Sequence, residues 1–382
     1  MENPSNDGKF FCILPWKHLM LQPNGKVYTC CEATSVDNSN SHLGDLQDLS
    51  IKEIWNTEKI KKIRLQLLSG QIPDQCKSCA RLEAYGITSD RLRSNEMFKD
   101  SSQVIAKTSM SGEIDATELK SFDLRLSNVC NFACRSCNPE QSSKWAMDYQ
   151  LLTGKFLSSP LTTRTFKNLA ECDSFIEHNL CAERIFFAGG EPLLHAEHYQ
   201  ILNRLVQNDK TDCTLAYITN LSTLNLQKNY VIDYWKHFKN VELTISLDAI
   251  GKLGEYIRDG LNWNEFSNNI QQIKNEVPHV KLSVNITVSL LNLVDVPATV
   301  DYCLKELAID SDSIILAPVT SPLVYRITLI PKGAKQKIAT HLLKASENFP
   351  VSLKNQISGI VAYMLSADES DSWKLFLAHN KR

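Results

Sequence analysis

From Phe122 onward, short runs rich in β-branched and aromatic residues alternate with longer stretches whose apolar positions recur every three to four residues. The runs Phe122–Leu126, Arg184–Ala188, Thr214–Thr219, Val241–Leu247, Lys281–Val288 and Ser313–Pro318 predict strands. The stretches around Glu140–Leu152, His195–Val206, Phe266–Asn275 and Val294–Leu307 have helical periodicity and adequate length. Such alternation predicts an α/β fold of repeated βα units around a parallel sheet. Six units suit an open or partial barrel better than a closed eight-stranded one, with chemistry at the C-terminal ends of the strands.

The pattern upstream is different. Phe10 to Cys31 predicts two short strands joined by a turn at Pro23-Asn24-Gly25. Ser50 with Glu53 three residues on is a capping-box signature, opening a helix whose apolar face is Ile54, Trp55, Ile60, Ile63 and Leu67 and which ends near Gly70. A loop at Pro73 then delivers Cys76 and Cys79. Residues 80–119 are polar and charged with no clear strand, so the domain junction is placed among them. The expected organisation is an auxiliary domain over 1–100, a linker over 101–120, a barrel over 121–331, and a helical segment over 332–382 that would cap the barrel's open side.

Charge and composition narrow the function. Lys and Arg number 41 against 43 Asp and Glu, a formal net charge of -2, so no global field draws the chain to nucleic acid or anionic lipid. Nucleic acid is therefore not an expected partner. No uninterrupted apolar segment approaches the ~18 residues of a membrane span, and the first residues lack a basic stretch followed by an apolar run. The expectation is a cytoplasmic protein. In that reducing compartment 12 cysteines point to metal ligation or catalysis rather than to disulfides.

Their spacing carries the chemistry. Cys130-Asn-Phe-Ala-Cys134-Arg-Ser-Cys137 places three thiols in one short loop directly after a predicted strand. Three thiolates can ligate three irons of a 4Fe-4S cluster and leave the fourth iron open. Structural zinc normally takes four ligands, and this loop offers three cysteines and no nearby histidine. The loop resembles the cluster-binding signature of radical S-adenosylmethionine (radical SAM) enzymes, and Gly189-Gly190-Glu191-Pro192 resembles that family's Gly-Gly-Glu-Pro motif.

The resemblance implies a partial (β/α)6 TIM-like barrel, a catalytic cluster on Cys130, Cys134 and Cys137, and S-adenosylmethionine on its open iron. Gly189, Gly190, Glu191 and Pro192 would meet the cofactor's methionyl amino group, glycines allowing close backbone approach and Glu191 offering an anionic acceptor. Polar residues at later strand ends, Thr219, Asn220, Ser246, Asp248 and the segment from Asn285, would also line the cofactor. Ser246 and Asp248 are candidates on its ribose side and Arg258 on its carboxylate side. Ordinary strand-end capping, or a solvated helix face for Arg258, is the alternative. Many members carry an aromatic just before the third cysteine where this chain has Ser136, so adenine packing would fall to Phe132 or an apolar strand residue.

Cys12, Cys30, Cys76 and Cys79 form a second set of four thiols. Spacing alone admits a structural zinc site or a saturated 4Fe-4S cluster. The segments Phe11-Cys-Ile-Leu-Pro-Trp16, Gly25-Lys-Val-Tyr-Thr-Cys30-Cys31, Leu43-Gly-Asp-Leu46, Ile54-Trp55 and Cys76-Lys-Ser-Cys79 resemble the auxiliary-cluster region called SPASM, or twitch in its shorter form. This implies a small α+β domain with a second, auxiliary 4Fe-4S cluster serving as relay or structural element. Cys31 is an alternative ligand or a free buried thiol. The implied partners are a reductant such as flavodoxin or ferredoxin and a peptide or small-molecule substrate. Among substrates a peptide or amino-acid-like molecule is expected, a sugar, nucleoside or nucleic-acid base being the alternative. A non-catalytic iron-sulfur electron carrier is the competing class.

Other residues carry blander expectations. His18, His195 and His198 read as satisfied core or helix-start histidines. Lys59, Lys61, Lys62 and Arg64 read as a solvated basic helix face. Cys172, Cys181, Cys213 and Cys303 read as small buried hydrophobes.

Overall fold

A computed structural model describes residues 10–35, 41–154 and 162–380. Nine strands form its main sheet: β1 (His18–Leu21), β2 (Lys26–Tyr28), β3 (Gly44–Asp45), β4 (Ser121–Leu124), β5 (Arg184–Phe187), β6 (Thr214–Thr219), β7 (Val241–Ser246), β8 (Lys281–Val288) and β9 (Ile314–Pro318). Their order is β9-β8-β7-β6-β5-β4-β1-β2-β3. The six strands expected from the βα alternation are all present and pair in parallel, β4 through β9.

The sheet crosses the expected junction. β1 pairs in parallel with β4, His18 opposite Ser121 through Leu21 opposite Leu124. β1 turns back through Gly25, at φ +81°, into the antiparallel β2 and β3. The 101–120 stretch holds the helix Ser101–Lys107 and is strapped to the start of the chain. The buried Lys17 ammonium pairs with Asp100 and Glu118, both at 2.7 Å.

Alternation along the strands separates two faces. Phe122, Leu124, Ile185, Phe187, Leu215, Tyr217, Leu243, Ile245, Val284 and Ile286 join the buried core. On the opposite face polar side chains meet one another: His18 with Ser121 at 2.9 Å, Arg184 with Glu242 at 2.7 Å, and Thr244 with Ser283 at 2.9 Å. A polar inner face is what a barrel with chemistry inside it requires. The helix Leu169–His178, which the periodicity did not predict, packs Phe175 edge-on against Phe122 of β4.

The C-terminal region forms helices Lys332–Ala345, Val351–Leu365 and Trp373–His379. The second lies along the edge strand β9. Its Gln356 side chain donates to the Ile314 carbonyl and accepts from the Leu316 N–H, both at 2.9 Å, so the sheet edge is closed by a side chain.

Three expectations are corrected. No strand starts at Phe10: Pro15 at the first turn sets up a short helix, Leu14–Lys17. The predicted first helix is two, Ile51–Ile54 behind the Ser50–Glu53 capping box and Glu58–Leu68. Arg64 is not solvated but fully buried, its guanidinium 4.6 Å over the Trp55 ring and bonded to the Pro15, Trp55 and Gly112 carbonyls and the Asn56 amide oxygen. Cys172, Cys213 and Cys303 are buried as expected, whereas Cys181 is exposed.

Candidate active site

The cysteine loop leaves the C-terminal end of β4 and is braced from three sides. Asn128 donates to the Pro139 carbonyl at 3.0 Å, Ser142 Oγ to the Phe132 carbonyl at 2.6 Å, and Trp145 Nε1 to the Cys134 carbonyl at 2.7 Å. Ala133–Cys134 pairs antiparallel with Arg258–Asp259. Arg135 donates to the Tyr256 carbonyl and lies 4.0 Å over its ring. These bracing residues gave no signal in the sequence, since each acts through a contact that only the fold creates.

The three thiols are half-buried and are one another's electrostatic neighbours. Burial pushes Cys130 up to about 11 and Cys137 up to about 12, and raises Cys134 as well. Thiolates so disfavoured need a cation to hold them. The Phe132 N–H, 3.4 Å from Cys130 Sγ, and the Asn220 amide at 3.8 Å point donors at the first sulfur.

Gly189 and Gly190 sit directly behind this loop at φ +75° and +54°. A β-carbon on Gly190 would stand 2.2 Å from the Val129 carbonyl oxygen, and one on Gly189 would stand 2.7 Å from Arg125 Cβ. The Glu191 N–H donates to the Val129 carbonyl at 2.9 Å, tying this turn to the residue before Cys130. His195, sealed in the interior, bonds the Gly189 backbone through its ring.

Glu191 is turned inward. Its carboxylate accepts from Leu193 N–H at 3.2 Å, Thr219 Oγ1 at 2.7 Å and Asn220 N–H at 2.8 Å, and burial pushes it up to about 7 despite these donors. In this conformation it ties the ends of β5 and β6 together. Thr219 and Asn220 accordingly serve Glu191, and Asn220 also donates to Asn131 at 3.0 Å. Pro192 begins the short helical turn that follows.

Across the sheet, Asp248 follows β7 and is fully buried. It accepts from the Thr287 N–H at 3.0 Å and from Arg258 Nη1 at 3.1 Å. Arg258 is thus drawn beside Cys134, and its buried Nε has no hydrogen-bond partner among the described residues. Ser246 lies at the end of β7 opposite Asn285 of β8, both half-buried. Phe132, a candidate for adenine packing, is fully buried in the core.

The second cysteine set also converges. Cys12, Cys30, Cys76 and Cys79 come from three separated segments and act electrostatically on one another. Burial raises all four, Cys76 to about 12 and Cys79 to about 11. Cys31 belongs elsewhere, its Sγ 3.3 Å from Asp90 Oδ2. Between the two cysteine sets the inner face carries Asp123 and Arg125, paired at 3.2 Å. Sequence reading passed over this pair, although period-two alternation from Phe122 and Leu124 places both on the inner face.

Sequence comparison matches residues 12–80 to SPASM, an iron-sulfur cluster-binding domain, and residues 124–303 to the Radical SAM superfamily. The chain carries a radical SAM domain preceded by a SPASM region. No curated protein matches the sequence. Similar solved structures include native anSMEcpe with bound AdoMet and Cp18Cys peptide, at 15% identity over 59% of this chain and 57% of that one, TM-score 0.41. They also include native anSMEcpe with bound AdoMet (16%, 59% and 59%, 0.42) and TYW1 with a lysine-pyruvate adduct (15%, 57% and 70%, 0.29). The chain spans 57% and 59% of the two anSMEcpe chains' length.

A radical SAM domain implies a 4Fe-4S cluster with S-adenosylmethionine, and a SPASM domain implies further iron-sulfur binding. The residues present fit both. The radical SAM loop supplies three thiols and no fourth ligand, a backbone cradle that only glycine can form, and a buried guanidinium N–H awaiting an acceptor. The SPASM region supplies four gathered thiols, none in a disulfide. No described helix is long and apolar enough to cross a membrane.

Proposed function

We propose that this chain is an enzyme that cleaves S-adenosylmethionine reductively and uses the radical to abstract hydrogen from a peptide or amino-acid-like substrate. The observation that carries this reading is the three-thiol loop backed by the Gly189-Gly190 cradle, with Arg258 held beside Cys134. When bound, the cluster and S-adenosylmethionine supply one-electron cleavage of a carbon–sulfur bond.

The chain's own residues do the rest. Cys130, Cys134 and Cys137 would hold three irons of the cluster, leaving the fourth iron to the cofactor. The glycine turn admits the methionyl end close to the backbone. Arg258, fixed by Asp248, offers its free Nε–H to a carboxylate. The Thr219, Asn220 and Glu191 network keeps the Cys130 side of the loop rigid. Cys12, Cys30, Cys76 and Cys79 hold the auxiliary cluster as relay or structural element, Cys30 rather than Cys31 completing the set.

The peptide reading follows from the resemblance of the region from Cys12 to Cys79 to auxiliary-cluster proteins, a group that includes peptide-modifying enzymes. A small reductant protein such as flavodoxin or ferredoxin would feed the first cluster, and 12 unpaired thiols suit a reducing cytoplasm.

The test is anaerobic reconstitution with iron and sulfide, then dithionite and S-adenosylmethionine, with 5'-deoxyadenosine as the readout. The Cys134→Ala variant is expected to lose cleavage and keep the auxiliary iron; retained cleavage would overturn the assignment. A mass change on a peptide rather than on a nucleotide or sugar pool then separates the substrate classes.

A further inference from the structure

Inner-face positions alternate with core positions along the barrel strands. Phe186 of β5 lies between the core residues Ile185 and Phe187 and is half-buried. Ile218 of β6 follows the core residue Tyr217 and is 38% exposed. β6 has β5 on one side and β7 on the other, so the surface that Ile218 leaves uncovered opens into the barrel. Isoleucine and phenylalanine in central strands are ordinarily covered. Phe186 stands opposite Ala216, which is two residues from Ile218 on the same face, so the three make one apolar patch on neighbouring strands. The cofactor site described above uses none of them.

The surroundings decide what this patch can receive. Inner-face charges beside it neutralise one another: Arg184 pairs with Glu242 at 2.7 Å and Arg125 with Asp123 at 3.2 Å. The Thr244 and Ser283 hydroxyls bond each other at 2.9 Å. Ile218 stands opposite Thr244, two residues inward of Ser246, a candidate for the cofactor's ribose side. Inward of that polar rim, Ile218 and Phe186 offer a ligand apolar surface and no hydrogen-bonding group. A charged group brought here would leave water to meet charges that are already paired, which is strongly unfavourable. A sugar would leave hydroxyls short of partners. An aliphatic or aromatic side chain has neither cost, and it covers the exposed isoleucine.

We propose that the patch of Phe186, Ala216 and Ile218 is the substrate site and takes an uncharged aliphatic or aromatic side chain of a peptide. The inference rests on the radical reading above and names the part of the peptide that faces the radical. The C–H bond that breaks belongs to that side chain or to its α-carbon. Ile218 sets the specificity. It directly precedes Thr219, whose hydroxyl is bonded to Glu191 of the cofactor turn, so a side chain seated on Ile218 lies next to the cofactor. Asp123 is the register partner of Phe186, which puts the Asp123–Arg125 pair at the border of the patch, where the peptide's amide groups find polar partners.

The test uses the reconstituted full chain with S-adenosylmethionine, dithionite and probes of the form acetyl-glycyl-X-glycinamide, X being perdeuterated leucine, phenylalanine, aspartate or lysine. A deuterium atom moves from the probe's carbon to the 5' carbon, so monodeuterated 5'-deoxyadenosine reports which side chain is seated beside the radical. In wild type the leucine and phenylalanine probes should label the product about tenfold more than the aspartate and lysine probes. Ile218→Lys should invert the order, placing aspartate above leucine, which a damaged fold cannot do. Ile218→Thr, close in shape but polar, should lower the leucine label while iron per chain stays at the wild-type value. Equal labelling by charged and apolar probes, an unchanged order in Ile218→Lys, an undiminished leucine label in Ile218→Thr, or unlabelled 5'-deoxyadenosine with every probe would sink the site and leave the radical reading standing. Absence of 5'-deoxyadenosine in wild type would instead remove the radical reading, and the proposal with it.

Discussion

Gly190 has no room for any side chain. At φ +54° a β-carbon would lie 2.2 Å from the Val129 carbonyl and 2.9 Å from that of Ser127, so Gly190→Ala must push back the strand end that leads into Cys130. Gly86 is a fair control, at φ +72° with nothing within 4 Å of its would-be β-carbon. Gly86→Ala should cost only the backbone strain, about 1–2 kcal/mol. Gly190→Ala should cost more in thermal unfolding and also lower iron bound at the radical SAM loop; equal losses from the two would show that the cradle is not tight. Buried titrating groups make a second prediction at this scale. His18, His195 and His198 are pushed down to about 3, 4 and 3 by burial, so the folded chain keeps them neutral where the unfolded chain would take up protons. Their stability contribution is present above about pH 6.5 and lost below it, at about 1.4 kcal/mol per histidine for each pH unit. Glu191 acts oppositely: raised to about 7, it binds its proton more tightly when folded and returns stability as pH falls from 7 toward 4.5. Urea midpoints of the apoprotein should drop between pH 7.5 and 5.5, and drop more steeply in Glu191→Gln. An equal or shallower slope in that variant would remove Glu191 from the account.

Strands were the most legible elements and helices the least. β6 and β8 begin and end at the expected residues, and the other four barrel strands differ by one or two, because short β-branched and aromatic segments with one buried face stand out from the helical stretches between them. The helix Leu169–His178 was missed: only Cys172 and Ile176 of it are buried, too narrow a stripe to stand out. Arg64 was misread for the opposite reason. It was grouped by charge with Lys59, Lys61 and Lys62, although Ile60, Ile63 and Leu67 put position 64 on the buried side of the same helix. The three-cysteine loop was legible as a candidate because its spacing is local. The inward turn of Glu191 was not, since its donors sit 28 and 29 residues downstream on another strand. What no pattern foretold was how β9, with no strand beyond it, avoids an open edge. Among the described residues the Gln356 side chain supplies it a donor and an acceptor, so Gln356→Ala should destabilise by about 1–3 kcal/mol. It should also speed amide exchange at Leu316; exchange unchanged there would mean that helix packing, not this side chain, protects the edge.

At the scale of the whole molecule, the pairing of β1 with β4 decides how the two cysteine sets depend on each other. Sequence patterning could place a strand near His18 but could not choose its partner, which lies about a hundred residues away and is selected by packing rather than by turn chemistry. The choice has a thermodynamic consequence. A SPASM region tethered by a linker would unfold by itself when its metal is lost, leaving the barrel intact. Here β1 is hydrogen-bonded along its full length to the strand that carries the Cys130 loop, and Lys17 clamps Asp100 and Glu118 across the same seam. Breaking a buried ammonium–carboxylate cluster and a parallel ladder together costs several kcal/mol, so the two halves should melt as one. Replacing Cys76 and Cys79 by serine removes half the proposed auxiliary ligands without touching the radical SAM loop. The expected result in calorimetry is a single transition at lower temperature, with amides of β4 and β5 losing hydrogen-exchange protection alongside those of β1. Two resolved transitions, with the upper one at the parent temperature, would show that the shared sheet does not couple the sites, and that any electronic traffic between the clusters crosses a seam the fold does not hold rigid.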